Sequence, residues 1–182
     1  MTEGQQVDGT RGVVVAESAG VARAGGRILE EGGNAFDAVA ASGLACSMIH
    51  PDKCGVGGYL LVGVAIEGAT GKAWSLDSNS RAPAAAHEHM YEVGPVAAGQ
   101  ANGLNANEYD CAVADDSNVY GPLAVGVPGQ LAGLGTLNER WGRLPWSQVV
   151  QPSLDLLSNG VAFGEDLAGS VRSLEAVIRR YP

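Results

Sequence analysis

The chain has 182 residues, enough for one domain that buries on the order of 70% of the surface it exposes when unfolded. A hydrophobic fraction of 46% and a charged fraction of 17% belong to a globular protein, not a disordered one. The net charge of −9 repels a phosphate backbone, only 5% of residues are aromatic, and no run of 18 apolar residues exists, so neither a nucleic-acid partner nor a membrane span is expected.

The first eleven residues are polar and lack the apolar stretch of a secretory signal. Cys46, Cys54 and Cys111 have no metal-ligand spacing and read as free thiols, so the expected compartment is reducing and cytoplasmic. Gly12 to Glu17 is a short β-branched run that reads as a buried strand. Val21, Gly25, Ile28 and Leu29 follow at helical spacing, with Arg23, Arg27, Glu30 and Glu31 on the opposite face. Gly32-Gly33 supplies a left-handed C-terminal cap, and Asn34 with Asp37 three residues on forms a capping box for the next helix.

That second helix, about Ala35 to Ile49, is apolar nearly all the way round, so it must be buried on several sides. His50-Pro51 ends it. Tyr59 to Ile66 reads as a strand, Gly68 to Gly71 as a turn, and Lys72 to Leu76 as the hairpin partner. His87 to Tyr120 has no clear period and is taken as an insertion or loop. Leu123 to Val127 reads as a strand, Pro128 as a first helical position, and Leu131, Leu134, Leu137 and Trp141 as a helical stripe stopped by Gly142. Pro145 to Asn159 is read as one helix closed by Gly160, and a last helix carries Leu167, Val171, Leu174 and Ile178. The pattern predicts a mixed or antiparallel sheet covered by helices.

Three clusters carry possible chemistry. In the loop from His50 to Gly58, Cys54 and His50 read either as a thiol with its base or as a sharp turn with a small filler. In Leu76-Asp77-Ser78-Asn79-Ser80-Arg81-Ala82-Pro83, Arg81 at a strand end reads either as a carboxylate or oxyanion clamp or as a surface residue paired with Asp77 or Glu88. His87 and His89 flank Glu88 but lack a third ligand, so a solvated helix start is expected rather than a metal site. Trp74, Trp141 and Trp146 are assigned to the core or its edge.

The wording of the chain adds to this. Arg27 to Ala41 (RILEEGGNAFDAVAA) resembles the two-helix segment of γ-glutamyltransferases. His50-Pro51, Gly55-Val56-Gly57-Gly58, Leu76-Asp77 and Ala82-Pro83 keep that family's order and spacing. Gly121 to Gly129 and Trp141-Gly142-Arg143-Leu144-Pro145-Trp146 are similar as well. The resemblance spans nearly the whole chain except Tyr91 to Tyr120.

It implies an α+β, N-terminal-nucleophile hydrolase-like αββα sandwich, with residues 1–182 as the N-terminal portion of a single, incomplete domain of the large subunit. It further implies that a precursor cleaves itself to expose a Thr on a small subunit. That Thr attacks an amide such as glutathione, and the γ-glutamyl or related acyl group passes to water or an amine. No part of the chain resembles the segment bearing that Thr, so no catalytic residue is assigned here and the isolated chain is expected to be inactive. The expected partners are the small subunit or C-terminal half and a small amide substrate, with no cofactor and no metal. The family pattern puts an Arg two residues after Asp77, where this chain has Asn79, and Arg81 follows two positions on. Both Arg81 and Asn79 are expected to line the acyl pocket, the strand alternation keeping them on one face. The rival expectation is a non-catalytic orphan fragment or partner-binding subunit.

Overall fold

The computed structural model describes residues 8–58, 61–95, 111–113, 116–162 and 164–180. The chain divides into two compact units, Met1–Ser80 with Pro128–Ala176, and Arg81–Val127 with Val177–Pro182.

The first unit begins with helix α1 (Ala19–Glu30), which buries Val21, Ala24, Gly25 and Ile28 along one face. It ends in a Schellman turn. Gly32 takes φ +94°, its N–H reaches the Leu29 carbonyl at 3.2 Å, and Gly33 N–H reaches that of Ile28 at 2.9 Å. Asn34 then caps α2 (Ala35–Ile49) as the sequence predicts: its Oδ1 accepts from Phe36 and Asp37 N–H, and the Asp37 carboxylate accepts Asn34 N–H.

Helix α2 packs against α1, α3 (Gln130–Trp141), α4 (Trp146–Val149) and α5 (Gln151–Asn159). Its alanines permit this crowding. Ala38, Ala40, Ala41 and Leu44 join Ile28, Leu134 and Val149 in the buried core, with Val14, Leu29, Leu61 and Trp146 against it. At Gly25 a side chain would overlap the Ser42 hydroxyl, so glycine sets the α1–α2 approach. One face of α2 is nevertheless uncovered, with Val39 52% exposed.

Asp37 joins the helices. Its carboxylate, fully buried, accepts Asn34 N–H (2.9 Å), Arg143 N–H (2.9 Å) and Asn138 Nδ2 (2.8 Å), while Asn34 Nδ2 donates to Trp141 O (2.6 Å). A side chain at Gly142 would collide with the Asp37 carboxylate, which fixes both where α3 stops and what residue follows it.

Strands β1 (Val62–Ile66) and β2 (Ala73–Asp77) pair antiparallel from Val62↔Asp77 to Ile66↔Ala73. Glu67 holds the hairpin to α3. Its Oε1 accepts both indole N–H groups, Trp74 at 3.0 Å and Trp141 at 3.3 Å, and Oε2 accepts the Thr70 hydroxyl at 2.9 Å. Lys72 and Arg140 lie over the Trp74 ring, and Arg140 also lies over that of Trp141. In the second unit, β3 (Val93–Pro95) pairs antiparallel with β4 (Cys111–Val113), and Arg81 exchanges both backbone hydrogen bonds with Val127.

Several expectations are corrected. Gly12–Glu17 has no strand partner among the described residues, and Val13 and Val15 are exposed instead of buried, because nothing there offers a second ladder. Tyr59 and Leu60, expected to open β1, lie outside the described residues. Within 87–120 the antiparallel β3–β4 pair is described as well as turns. The strand expected at Leu123–Val127 is a 3-10 turn at Pro122–Ala124 followed by the lone bridge at Val127, since Pro122 has no N–H for a ladder. Helix α3 starts at Gln130, not Pro128. The helix expected over Pro145–Asn159 breaks at Val150, because Pro152 has no N–H to continue it. The last helix is split into α6 (Glu165–Ser173) and α7 (Glu175–Arg180). Among the described residues the sheet consists of two separate two-stranded pairs, not one covered layer.

Two outcomes follow from these contacts. Asp37→Ala strips the acceptor from the Asn34 and Arg143 N–H groups and should lower unfolding free energy in urea by about 2–4 kcal/mol; a loss under about 0.5 kcal/mol would refute the hub. The Glu67 carboxyl is held below the usual carboxylate range, first by the Thr70 hydroxyl and then by the Trp74 indole. The hairpin anchor is therefore intact above the ordinary carboxylate pKa and lost as pH falls through the lowered value. Tryptophan fluorescence should shift in that acid range, and Glu67→Gln should remove the step.

Candidate functional site

The exit of the hairpin is built from small residues. β2 ends at Asp77, Ser78 N–H donates to Leu61 O (2.8 Å), and the Ser78 hydroxyl donates to the carbonyl of Gly129, the N-cap of α3. A side chain at Gly129 would overlap the Ser78 carbonyl oxygen, and one at Gly133 would come within 2.6 Å of the Ser78 side chain. The two glycines thus let the first turn of α3 lie directly on the chain that leads into Asn79.

Asn79 is exposed and held by its neighbours: its N–H donates to Asp77 Oδ1 (3.1 Å), and its Oδ1 accepts Ser80 N–H (2.8 Å). That turn fixes the oxygen, leaving the Nδ2 group, a neutral donor, toward solvent. It offers no positive charge to a carboxylate.

Arg81 belongs to the second unit. Its backbone is locked to Val127 by hydrogen bonds of 3.2 and 2.8 Å, while its side chain is exposed. Neither of the carboxylates named as surface partners takes it. Asp77 accepts Asn79 N–H, and Glu88 pairs with His89 at 3.2 Å. Among the described residues Arg81 makes no ion pair, so its guanidinium can present two parallel donors to a carboxylate. Because strand pairing stops at Asp77, the alternation that would align Asn79 with Arg81 does not extend to them.

The glycine loop has a different role from the thiol reading. Gly58 N–H closes a turn on Gly55 O (2.7 Å), and a side chain at Gly58 would overlap Gln130 Oε1. Gln130 is buried, and its Nε2 donates to Ser47 Oγ at 2.9 Å. The Cys54 thiol donates to the His50 main-chain carbonyl (3.5 Å), not to the ring, and His50 Nε2 is buried with no hydrogen-bond partner among the described residues. Burial, and then the neighbouring Cys46, push the Cys54 thiol up to about 12. A thiol so protonated is no nucleophile at neutral pH. His87 and His89 lie on an exposed turn instead of a helix start, and among the described residues no three His, Cys, Asp or Glu side chains converge as metal ligands.

Ser78 and Gln130 were missed by reading the sequence. A polar residue directly after Pro-Gly at the head of an apolar helix was the available signal for Gln130.

The family described as Gamma-glutamyltranspeptidase matches residues 21–182. Glutathione hydrolase 3 of Arabidopsis thaliana is 30% identical over 176 residues, covering 97% of this chain and 24% of that protein. The Acylase ACY 1 proenzyme of Pseudomonas sp. (strain V22) is 32% identical over 180 residues, 99% of this chain and 30% of that protein. The crystal structure of Helicobacter pylori gamma-glutamyltranspeptidase superimposes with a TM-score of 0.81 at 26% identity, covering 97% of this chain and 46% of that one. The chain therefore spans less than half the length of each of these three relatives.

The environment of Cys54 makes a prediction for alkylation. Iodoacetamide should label it slowly, with a rate that is still climbing and shows no plateau through pH 9; a plateau with its inflection well below the ordinary thiol range would show an activated thiol.

Proposed function

Because the chain belongs to the γ-glutamyltranspeptidase family, as the match over residues 21–182 shows, we propose that it is the N-terminal part of the large subunit of an amide-processing acyl-transfer enzyme. Its fold is the corresponding portion of an N-terminal-nucleophile hydrolase, as the superposition on the Helicobacter pylori structure shows. In this reading the enzyme moves a γ-glutamyl or related acyl group from an amide to water or to an amine.

The chemistry divides between two pieces. The remaining part supplies the N-terminal Thr, whose hydroxyl attacks the amide carbonyl while its own amine takes the proton. The leaving amine departs, and water or an acceptor amine then releases the acyl group from the ester. This chain supplies binding. Arg81 pairs with an anionic group of the acyl moiety, and Asn79 contributes a neutral hydrogen bond where the family pattern has a cation. The supporting observation is the Arg81 guanidinium, which makes no ion pair among the described residues, on a backbone pinned to Val127. A clamp on pinned backbone loses little entropy when it closes on its ligand. Asn79 weakens selection for the charged glutamyl α-carboxylate, which favours broader acyl specificity, and the likeness to both a glutathione hydrolase and an acylase agrees with that breadth.

The test is to co-express the chain with the downstream part and follow release of p-nitroaniline from a γ-glutamyl anilide. Arg81→Ala should raise KM roughly 10- to 100-fold with kcat little changed, the loss expected for a charge-assisted bidentate pair. Asn79→Arg should improve the γ-glutamyl anilide relative to an uncharged acyl anilide. Unchanged kinetics in Arg81→Ala would reject the clamp.

A further inference from the structure

Helix α5 ends differently from its neighbours. After α1, α2 and α3 the next main-chain N–H turns back to a helix carbonyl: Glu31 to Arg27 (2.9 Å), His50 to Cys46 (2.8 Å) and Gly142 to Asn138 (2.8 Å). After α5 the chain turns at Gly160, whose φ is +78° and whose N–H makes no hydrogen bond among the described residues. A backbone angle of that sign selects glycine, so the residue that ends the helix also lacks the side chain that would shield its nitrogen. Asn159, the last helical residue, is exposed, and its amide has no hydrogen-bond partner among the described residues either.

The other described asparagines are held. Asn34 Nδ2 donates to Trp141 O (2.6 Å) and Asn138 Nδ2 to Asp37 Oδ1 (2.8 Å). The nitrogen that follows Asn79 is bonded to its own side chain, Ser80 N–H to Asn79 Oδ1, and the nitrogen that follows Asn118 is bonded to Asp116 O (2.9 Å). The chain's other Asn-Gly pair, Asn102-Gly103, lies outside the described residues.

An asparagine beside an unshielded, unbonded glycine nitrogen carries its own reaction. Gly160 N gives its proton to hydroxide and attacks Asn159 Cγ. The new N–Cγ bond closes a succinimide ring as the Cγ–Nδ2 bond breaks, and ammonia leaves with a proton from water. Water then opens the ring at either carbonyl, leaving aspartate or isoaspartate. One water is consumed and one ammonia released, with no change of oxidation state.

We propose that Asn159-Gly160 is a site of spontaneous deamidation and that Arg23 takes the carboxylate it creates. Asn159 shares with Arg23, Arg27 and Asp155 the rim of a groove of about 240 Å³ between α1 and α5. Arg27 is already committed to Glu31 (2.7 Å) and Asp155 (2.6 Å), whereas Arg23 is exposed and forms no ion pair among the described residues. A new negative charge at 159 meets Asp155 one turn back and the negative end of the α5 dipole, so a cation must answer it. The modification thus adds a second clasp between α1 and α5 beside Arg27–Asp155. Neither step involves Asn79, Arg81 or acyl transfer.

The full chain, aged in neutral to mildly alkaline buffer and digested with trypsin, tests the site. The peptide containing Asn159 should gain one mass unit and accept methyl groups from an isoaspartyl methyltransferase, at a rate that rises with hydroxide. It should convert at least about 10-fold faster than Asn34, Asn79 or Asn138, the factor that one lost hydrogen bond gives. Asn159→Gln should abolish the gain with the circular dichroism spectrum unchanged. Asn159 still amidated when any of those three has converted, or a rate indifferent to pH, would overturn the site. For the clasp, Arg23→Ala should lower the urea midpoint more in an Asn159→Asp background than in the parent chain, by a difference that shrinks with salt. An equal loss in both backgrounds would overturn the pairing with Arg23.

Discussion

The first unit depends on one buried carboxylate. Asp37 cannot sit fully buried among apolar helices unless its charge is answered by donors, and the structure supplies them from three directions: the start of α2, the last turn of α3 and the loop leading to α4. The constraint runs outward from there. Gly142 must lack a side chain, Asn138 must face inward, and Asn34 must both cap α2 and reach the Trp141 carbonyl. A residue that began as the third position of a capping box thus determines how two helices far apart in sequence meet.

That junction governs the candidate site through α3. Its C-terminal end is held by Asp37 and, through Trp141, by the Glu67 cluster at the hairpin tip. Its N-terminal end rests on Ser78 through Gly129 and Gly133 and reaches Ser47 and Gly58 through Gln130. The hairpin is therefore gripped at its tip and at its exit by the two ends of one helix. Asn79 follows immediately after the second grip, which gives it a fixed main chain although its side chain is solvated.

Local signals carried much of this. The helix ends around Gly32-Gly33 and Asn34, the extent of α2, the stop at Gly142 and the β1–β2 hairpin all depend on a few adjacent residues, and each is where the sequence places it. The failures share a cause as well. Val13 and Val15 read as buried because an apolar β-branched run says nothing about whether a neighbouring strand is present. Leu123, Val125 and Val127 alternate like a strand for the same reason, but Pro122 ahead of them removes a ladder donor and turns the chain instead. The contacts of Ser78 and Gln130 could not be read locally because their partners lie 51 and 83 residues away.

On the proposed function, the chain is a scaffold and a binding wall, and the reacting group lies on another segment. The most direct check is to treat the assembled enzyme with a γ-glutamyl affinity label and locate the adduct by peptide mass spectrometry. The account predicts the entire adduct on the N-terminal Thr of the partner piece and none on this chain. An adduct on Cys54, or on any other residue of this chain, would contradict it.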